Sequence, residues 1–121
     1  MVTFLDTYAI IEIDKGNPDY QHYSIDADAI TTAFNLIEAH FYYLKNFDEK
    51  EAEEVYNIVK QIVVRIDDEI IKEANKFKLN HLKKRFSFAD CIGYITARKY
   101  NARFLTGDYA FKGLESVEFV K

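Results

Sequence analysis

Short apolar runs alternate with longer segments of helical spacing along the chain. The apolar runs predict strands at residues 2–5, 29–32, 62–66, 103–105 and 117–120. The segments between them predict helices at residues 7–13, 33–44, 48–60, 69–78 and 87–100. This alternation predicts an α/β fold, with a parallel β-sheet of about five strands, some of them short, and helices on both faces.

The segment that begins at Ser87 gives the clearest local prediction. Ser87 can cap a helix, with Asp90 as its reciprocal partner three residues later, and Asn101 ends that helix. Asp108 follows the strand at 103–105, and open α/β sheets bind ligands at the carboxyl ends of their strands. Asp90 lies in the first turn of the preceding helix, so the two carboxylates can converge on one crevice. Such a pair indicates a site for a hard cation such as Mg²⁺ or Mn²⁺.

Composition limits the class of protein. The 121 residues are 49% hydrophobic, so we expect residues 1–121 to form a single domain with its own core. No apolar run reaches about 18 residues and no basic leader precedes the first strand, so we expect neither a membrane span nor a signal peptide. The single cysteine, Cys91, is interpreted as a buried apolar filler, and its isolation fits a cytoplasmic protein. The net charge of −4 does not indicate a general nucleic-acid coat, although a local basic strip is compatible with it.

The other acidic residues have ordinary explanations when each is considered alone. Asp6 suits the N-cap of the helix after the first strand, and Glu38 suits a solvated helix face. Asp67 and Asp68 are interpreted as helix caps, and the acidic start of the helix at 48–60 as a solvent-exposed face. No Ser-His-Asp or Cys-His arrangement and no phosphate-binding Gly-rich loop is present, which argues against protein nucleophilic catalysis and P-loop nucleotide binding.

Four acidic segments stand in the order and spacing of a known family. They are FLDTYAII around Asp6, NLIEAH around Glu38, SFADCIGYITA around Asp90 and FLTGDYAF around Asp108. Together they resemble the PIN domains, particularly the small prokaryotic toxins of the VapC type, over nearly the whole chain. The resemblance implies a PIN-like parallel sheet and a metal-dependent ribonuclease that uses a quartet of acids.

The resemblance also implies the roles of individual residues. The catalytic and metal-binding quartet, holding Mg²⁺ or Mn²⁺, is expected to be Asp6, Glu38, Asp90 and Asp108. Asp6 and Asp90 are assigned to the primary metal, and Asp108 to completing or stabilising its shell. Glu38 would hold a metal or orient the attacking water. Thr106 matches the small polar residue that the family has two positions before the last acid, and it is expected to support the site from behind the acids.

Basic residues near the predicted site are the candidates for binding the RNA substrate. Lys83, Lys84 and Arg85 directly precede the site helix, and Arg98 and Lys112 are weaker candidates. Ordinary solubilising charge is the alternative interpretation for each of the five.

The expected protein partners are a second copy of the chain and an antitoxin. The resemblance implies dimers, and the chain contains 9 Tyr and 10 Phe, residue types that are favoured at interface cores. The tyrosines interpreted as candidate interface residues are those at positions 20, 23, 42, 43 and 56.

The sequence departs from the family at two points. Tyr8 stands where a small polar residue is usual, and only Thr31 or Thr32 can supply the Ser or Thr that usually leads the Glu38 segment. The rival hypothesis is a PIN-like module that binds RNA or a protein partner without cleaving. Metal-dependent cleavage of RNA, lost when one acid is neutralised, separates the two hypotheses.

Overall fold

The computed structural model describes residues 1–121 as four strands and five helices, with short 3-10 turns between some of them. The strands are β1 Thr3–Leu5, β2 Ala29–Ile30, β3 Arg103–Thr106 and β4 Val117–Phe119. The helices are α1 Thr7–Asp14, α2 Ala33–Asn46, α3 Glu49–Lys60, α4 Asp68–Asn80 and α5 Phe88–Lys99. The predicted α/β class is confirmed. None of the helices combines the length and apolar character that crossing a membrane requires.

The four strands form one parallel sheet in the order β2-β1-β3-β4. Phe4 of β1 is in register with Ile30 on one side and with Phe104 on the other. After β1 the chain crosses to β2 on one side of it, and later returns to β3 on the other. The sheet therefore has a switch point between β1 and β3, where the crossovers diverge and leave a crevice at the carboxyl ends of the strands.

Helices cover both faces of the sheet, as the sequence predicts. Successive strand residues point to opposite faces, so Phe4 and Leu5 enter different parts of the core. Phe4 and Phe104 stack at 5.3 Å between ring centroids and pack in a cluster with residues of α4 and α5. Leu5 and Leu105 pack in a second cluster with residues of α1, α2 and α3. The two adjacent central strands thus anchor both halves of the core.

The predicted strand at residues 62–66 is wrong. Val63 makes a single parallel bridge to Thr31, through hydrogen bonds from the Thr31 N–H to the Ile62 carbonyl and from the Val64 N–H to the Thr31 carbonyl. The ladder cannot extend because β2 is two residues long and Thr32, directly after Thr31, already caps α2. Ile62 also stays hydrogen-bonded to Val59 in the final turn after α3. The sheet consequently has four strands where about five were expected.

Helix α2 forms as predicted but does not bury all of its apolar residues. Its buried positions are Asn35, Leu36, Ala39 and Tyr43. Its exposed large apolar side chains, called the α2 stripe below, are Phe34, Ile37, Phe41 and Leu44. The apolar side chains span more of the helix circumference than one core-facing stripe can cover. Tyr20 and Tyr43 lie in the core, so these two candidates for a dimer interface are ruled out.

Candidate active site

Asp6 lies at the carboxyl end of β1, and its side chain caps the N-terminus of α1. Its backbone is extended and its Oδ1 atom accepts a hydrogen bond from the Ala9 N–H at 2.8 Å, so the predicted N-cap is present. The residue is 8% exposed, which is low for a carboxylate. Capping therefore fixes the position of this acid at the switch point of the sheet.

Asp90 is held by the capping box that the sequence predicts for α5. The Ser87 hydroxyl accepts from the Asp90 N–H at 3.0 Å, and Asp90 Oδ2 accepts from the Ser87 N–H at 2.9 Å. Asn101 ends the helix as predicted, with a φ of 55° in the left-handed region that Asn tolerates. The cap orients the Asp90 carboxyl in the first turn of the helix.

Asp108 follows β3 and is ordered by two local hydrogen bonds. Its N–H donates to the hydroxyl of buried Thr106 at 3.0 Å, and its Oδ1 accepts from the Ala110 N–H at 2.9 Å. The Thr106 hydroxyl also interacts with the Asp6 carboxyl and lowers the pKa of that group. Thr106 therefore contacts both acids that the two central strands supply.

Glu38 reaches the site from α2 through a chain of hydrogen bonds. Its Oε1 accepts from the Thr7 hydroxyl at 2.6 Å, and that hydroxyl in turn accepts from Asn35 Nδ2 at 3.1 Å. Asn35 is buried and its Oδ1 accepts from the hydroxyl of Thr32, which caps α2. Thr32 is thus linked to Glu38 through Asn35 and Thr7, whereas the Thr31 hydroxyl donates to the Leu5 carbonyl.

The four predicted acids line one cavity of about 380 Å³ at the switch point of the sheet. The other residues that line it are Thr7, Tyr8, Asn35, Gly107, Tyr109 and Lys121. One oxygen of each acid is held by a hydrogen bond from the chain itself. The cavity is therefore lined by four carboxylates whose orientations are set by the chain itself.

The donors suit a hard cation, although they are not arranged as a finished ion site. No three Asp, Glu, His or Cys side chains lie close enough together to hold a metal ion as they stand. Mg²⁺, however, usually takes one or two carboxylates and completes its six positions with water and substrate phosphate oxygens. The oxygen-only donor set and the open cavity fit this requirement, because the buried Asp6 and the half-buried Asp90 line the same space.

Burial dominates the electrostatics of the cavity, and repulsion between its acids adds to the effect of burial. Removal from water raises the pKa of Asp6 to about 7, the negative charges of Asp90 and Asp108 add to this rise, and hydrogen bonds from Thr106 and Ala9 oppose it. Burial likewise raises the pKa of Asp90, with a contribution from Asp108, against the hydrogen bonds to Ser87 and the charge of Lys78. The site carries excess negative potential that a cation would neutralise.

The side chains of Cys91 and His40 lie outside the cavity. Cys91 is a buried residue of α5, and burial raises the pKa of its thiol to about 11. This is the environment of an apolar filler, as predicted from the sequence. His40 packs edge-on against Tyr56, at 5.5 Å between ring centroids, and lines no part of the site.

The five basic residues predicted to bind substrate do not line the cavity. Lys83, Lys84 and Arg85 lie in the exposed turn between α4 and α5. Arg98 is engaged in an ion pair with Glu115 at 3.2 Å. Lys112 lies nearer, 5.9 Å from the ring centroid of the cavity-lining Tyr109.

Sequence reasoning missed several residues around the acids. Thr7 and Asn35 orient Glu38, and their only sequence signal is the N-cap threonine three residues before Asn35. Tyr109 and Lys121 line the cavity as well. Lys121 lies in a separate part of the sequence and reaches the cavity only because β4 pairs with β3. No local sequence pattern predicts that Lys121 lies close to the four acids.

Comparisons with known proteins give consistent results. The family model of the PIN domain matches residues 3–116. A search among curated proteins finds no match. A toxin-antitoxin complex from Klebsiella pneumoniae contains a similar chain, with a TM-score of 0.73 and 14% identity over 96% of this chain and 95% of that one. Mycobacterium tuberculosis VapC20, described as a sarcin-ricin loop cleaving toxin, aligns with a TM-score of 0.70 and 17% identity over 95% of this chain and 98% of its own.

Proposed function

This chain belongs to the PIN domain family, and we propose that it is a metal-dependent endoribonuclease. It would hydrolyse RNA phosphodiester bonds at the cavity at the switch point, with Mg²⁺ or Mn²⁺ as the cofactor. The catalytic and metal-binding residues would be Asp6, Glu38, Asp90 and Asp108.

One observation carries this proposal. Four carboxyl groups from four separate segments line the same open cavity, and each has one oxygen held by a hydrogen bond from the chain. A solvated acid on a helix surface needs no such restraint, and a purely structural cap does not need three other acids beside it. Oriented carboxylates around a space open to a substrate are the arrangement that hydrolysis assisted by divalent cations uses.

The four acids would have different roles in the reaction. Asp6 and Asp90 would hold the primary cation, and Asp108 would complete or stabilise its shell. Glu38, whose Oε1 atom accepts a hydrogen bond from the Thr7 hydroxyl, would hold a cation or orient the attacking water. When bound, the cation supplies charge stabilisation for the attacking and leaving oxygens and lowers the pKa of bound water.

We further propose that the nuclease is the toxin of a toxin-antitoxin pair, working in the cytoplasm as a homodimer. Two proteins of similar fold, the chain in the Klebsiella complex and VapC20, are described as parts of such systems or as toxins. Each alignment covers at least 95% of both chains, so the similarity extends over the whole of a small toxin. An antitoxin would then be the second protein partner, and RNA the substrate.

The experiment is a cleavage assay with purified protein and RNA. Cleavage should require Mn²⁺ or Mg²⁺ and stop in chelator, and Asp90→Asn should abolish it. Asn presents the same acceptor oxygen to the Ser87 N–H, so the circular dichroism spectrum of this variant should match the parent. Cleavage that persists both in chelator and in Asp90→Asn would contradict the proposal.

The second candidate function is a non-catalytic PIN-like module that binds RNA or a protein partner. The observation in its favour is that no three potential ligands form a finished ion site. This candidate predicts RNA or protein binding with no cleavage in any divalent metal. The same assay therefore decides between the two functions.

A further inference from the structure

Two tyrosines, one phenylalanine and two lysines lie together beside the acidic cavity and are not used by the proposed metal site. The group, called the aromatic-lysine strip below, consists of Tyr8, Tyr109, Lys112, Phe119 and Lys121. Its members come from α1, the turn after Asp108, and the segment around β4. Tyr8, Tyr109 and Lys121 line the same cavity as the four acids.

Tyr109 is held in place yet mostly exposed. Its ring packs against Phe119, with centroids 5.0 Å apart, and its residue is 61% exposed. A large aromatic side chain that uses one part of its surface for packing leaves the rest to water. A restrained and exposed ring of this kind is suited to stacking against another flat apolar group.

The lysines carry positive charge that the protein does not neutralise. Lys121 Nζ lies 4.9 Å from the Tyr109 ring centroid and 5.2 Å from that of Tyr8, and it donates to the Gly107 carbonyl at 3.3 Å. Lys112 Nζ lies 5.1 Å from the Phe119 centroid. Neither lysine forms an ion pair, whereas Arg98, Lys99 and Arg103 all do. Two unpaired cations thus stand beside a cavity that is otherwise acidic.

We propose that the aromatic-lysine strip binds single-stranded RNA next to the cleavage site, with an unpaired base stacked on Tyr109 and phosphates contacted by Lys121 and Lys112. This rests on the proposed nuclease function and names the residues that would hold the RNA beside the acids. Bases within a duplex are already stacked on their neighbours, so only an unpaired segment, such as a loop, offers a free face. Stacking on an aromatic ring tolerates any base, because every base has a π-face.

The charges favour RNA over a protein partner. A polyanion approaching four carboxylates in a chain of net charge −4 is repelled unless local cations compensate. The strip supplies such cations directly at the cavity mouth, next to a ring that can hold a base. Aromatic rings and unpaired cations together are the usual composition of a single-strand binding groove.

The test measures binding of a short single-stranded RNA carrying a fluorescent 2-aminopurine base, in chelator and in an Asp90→Asn background so that cleavage does not interfere. Tyr109→Ala should weaken binding about tenfold or more and remove the quenching caused by stacking, while Tyr109→Phe should retain both. Lys121→Gln and Lys112→Gln should each lower the slope of log affinity against log salt by about 0.7. Duplex RNA of the same sequence should bind equally to the parent and Tyr109→Ala proteins.

Tyr100→Ala and Lys72→Gln are the matched controls. Tyr100 is 43% exposed but lies at the end of α5, and Lys72 is an exposed lysine on α4, so neither lines the cavity. Both controls should bind RNA as the parent does. Circular dichroism checks that each variant is folded, and the lysine variants keep the proposal testable if Tyr109→Ala does not fold.

Three results would overturn the proposal. These are unchanged affinity and salt slope in the strip variants, equal losses in strip and control variants, and loss of a protein partner with RNA binding intact. A different result would contradict only the proposed nuclease function. In that case the parent would not cleave RNA in any divalent metal, although the strip variants would still bind RNA more weakly than the parent. Metal-dependent cleavage by the parent, together with unaltered RNA binding in the variants, would contradict the role proposed for the strip but not the proposed nuclease function.

Discussion

At the scale of the residue, Asp6 combines a structural and a chemical role that favour opposite states of its carboxyl. As an N-cap it accepts a hydrogen bond from the Ala9 N–H, which favours the ionised form. As a buried group beside two other acids it is destabilised when ionised, and its pKa rises to about 7. Since Asn caps a helix as well as Asp does, the two roles can be separated by one substitution.

Asp6→Asn should therefore stabilise the metal-free protein near neutral pH. The folded-state pKa of Asp6 lies above the unfolded value of 3.8, so Asp6 favours folding most in acid and loses this contribution as pH rises from about 4 to about 7. At about pH 8 the substitution should raise the free energy of unfolding by up to about 4 kcal/mol, and below about pH 4 the difference should vanish. Urea unfolding in chelator across this range measures both. Saturating Mg²⁺ should stabilise the parent more than the variant.

Asp67→Asn is the control for this experiment. Asp67 caps α4 and pairs with Lys99 at 2.8 Å, and the Lys99 hydrogen bond holds the pKa of Asp67 below its usual value. Its substitution should lower stability slightly above about pH 4 and leave the response to Mg²⁺ intact. If Asp6→Asn behaves like Asp67→Asn, Asp6 is a structural cap and its assignment to the metal is wrong.

The contact between Gly107 and Tyr8 gives a second prediction at this scale. A Cβ atom added at Gly107 would lie 2.2 Å from the nearest atom of the Tyr8 ring, far inside van der Waals contact. Gly107→Ala should therefore destabilise the protein by displacing Tyr8, at a cost of about 1–3 kcal/mol. In the Tyr8→Ser/Gly107→Ala double variant most of this loss should disappear, giving a coupling energy well above 0.5 kcal/mol in a double-mutant cycle. Additive losses would mean that the ring is not the obstacle.

At the scale of the element, the start of α5 connects helix stability to the site. Ser87→Ala removes one half of the capping box and should cost about 1 kcal/mol of stability. Because the box also orients Asp90, the variant should bind Mn²⁺ more weakly, as measured by calorimetry. Asp48→Ala removes the cap of α3, which is remote from the cavity, and should cost similar stability with unchanged Mn²⁺ affinity. Equal Mn²⁺ affinity in both variants would argue against orientation of Asp90 by the cap.

Elements with strong local signals could be predicted from the sequence, and elements that depend on distant partners could not. The helix at Ser87 has a cap, a capping-box partner and a left-handed terminator within its own residues, and each is present in the structure. The β-rich run at 62–66 has the composition of a strand but no partner long enough to pair with it. Whether such a run becomes a strand depends on where a neighbouring strand ends, which is not encoded in the run.

The same distinction applies to the site. The four acids could be located from the sequence because each stands at the end of a strand or near the start of a helix, within a recognisable family pattern. Tyr109 and Lys121 could not, because their proximity depends on the pairing of β3 with β4. Asn35 was not predicted as a site residue, because a polar residue in an otherwise apolar helix is expected on the solvent-exposed face. In the structure Asn35 is buried and hydrogen-bonded to Thr7 and Thr32.

At the scale of the whole molecule, the α2 stripe is a candidate for the surface through which we propose that two copies associate. Ile37 and Phe41 are each 63% exposed, and exposed apolar patches often mark interaction sites. The parent should scatter light as a particle of twice the 14.2 kDa chain mass at tens of micromolar, and Ile37→Asp should be a monomer. Leu79→Asp, at a 67% exposed position on α4, should remain a dimer. A monomeric parent would contradict the dimer, and a dimeric Ile37→Asp protein would place the contact elsewhere.

The capping roles of the aspartates also bear on how this molecule can change over evolutionary time. Asp and Asn codons differ by a single base, and Asn offers the same acceptor oxygen at Asp6, Asp90 and Asp108. If the chain is the nuclease that we propose, a lineage in which RNA cleavage becomes harmful would lose that activity by a point mutation that preserves the fold. Folding does not require a carboxylate at these positions, so only selection for the proposed cleavage would keep the acids.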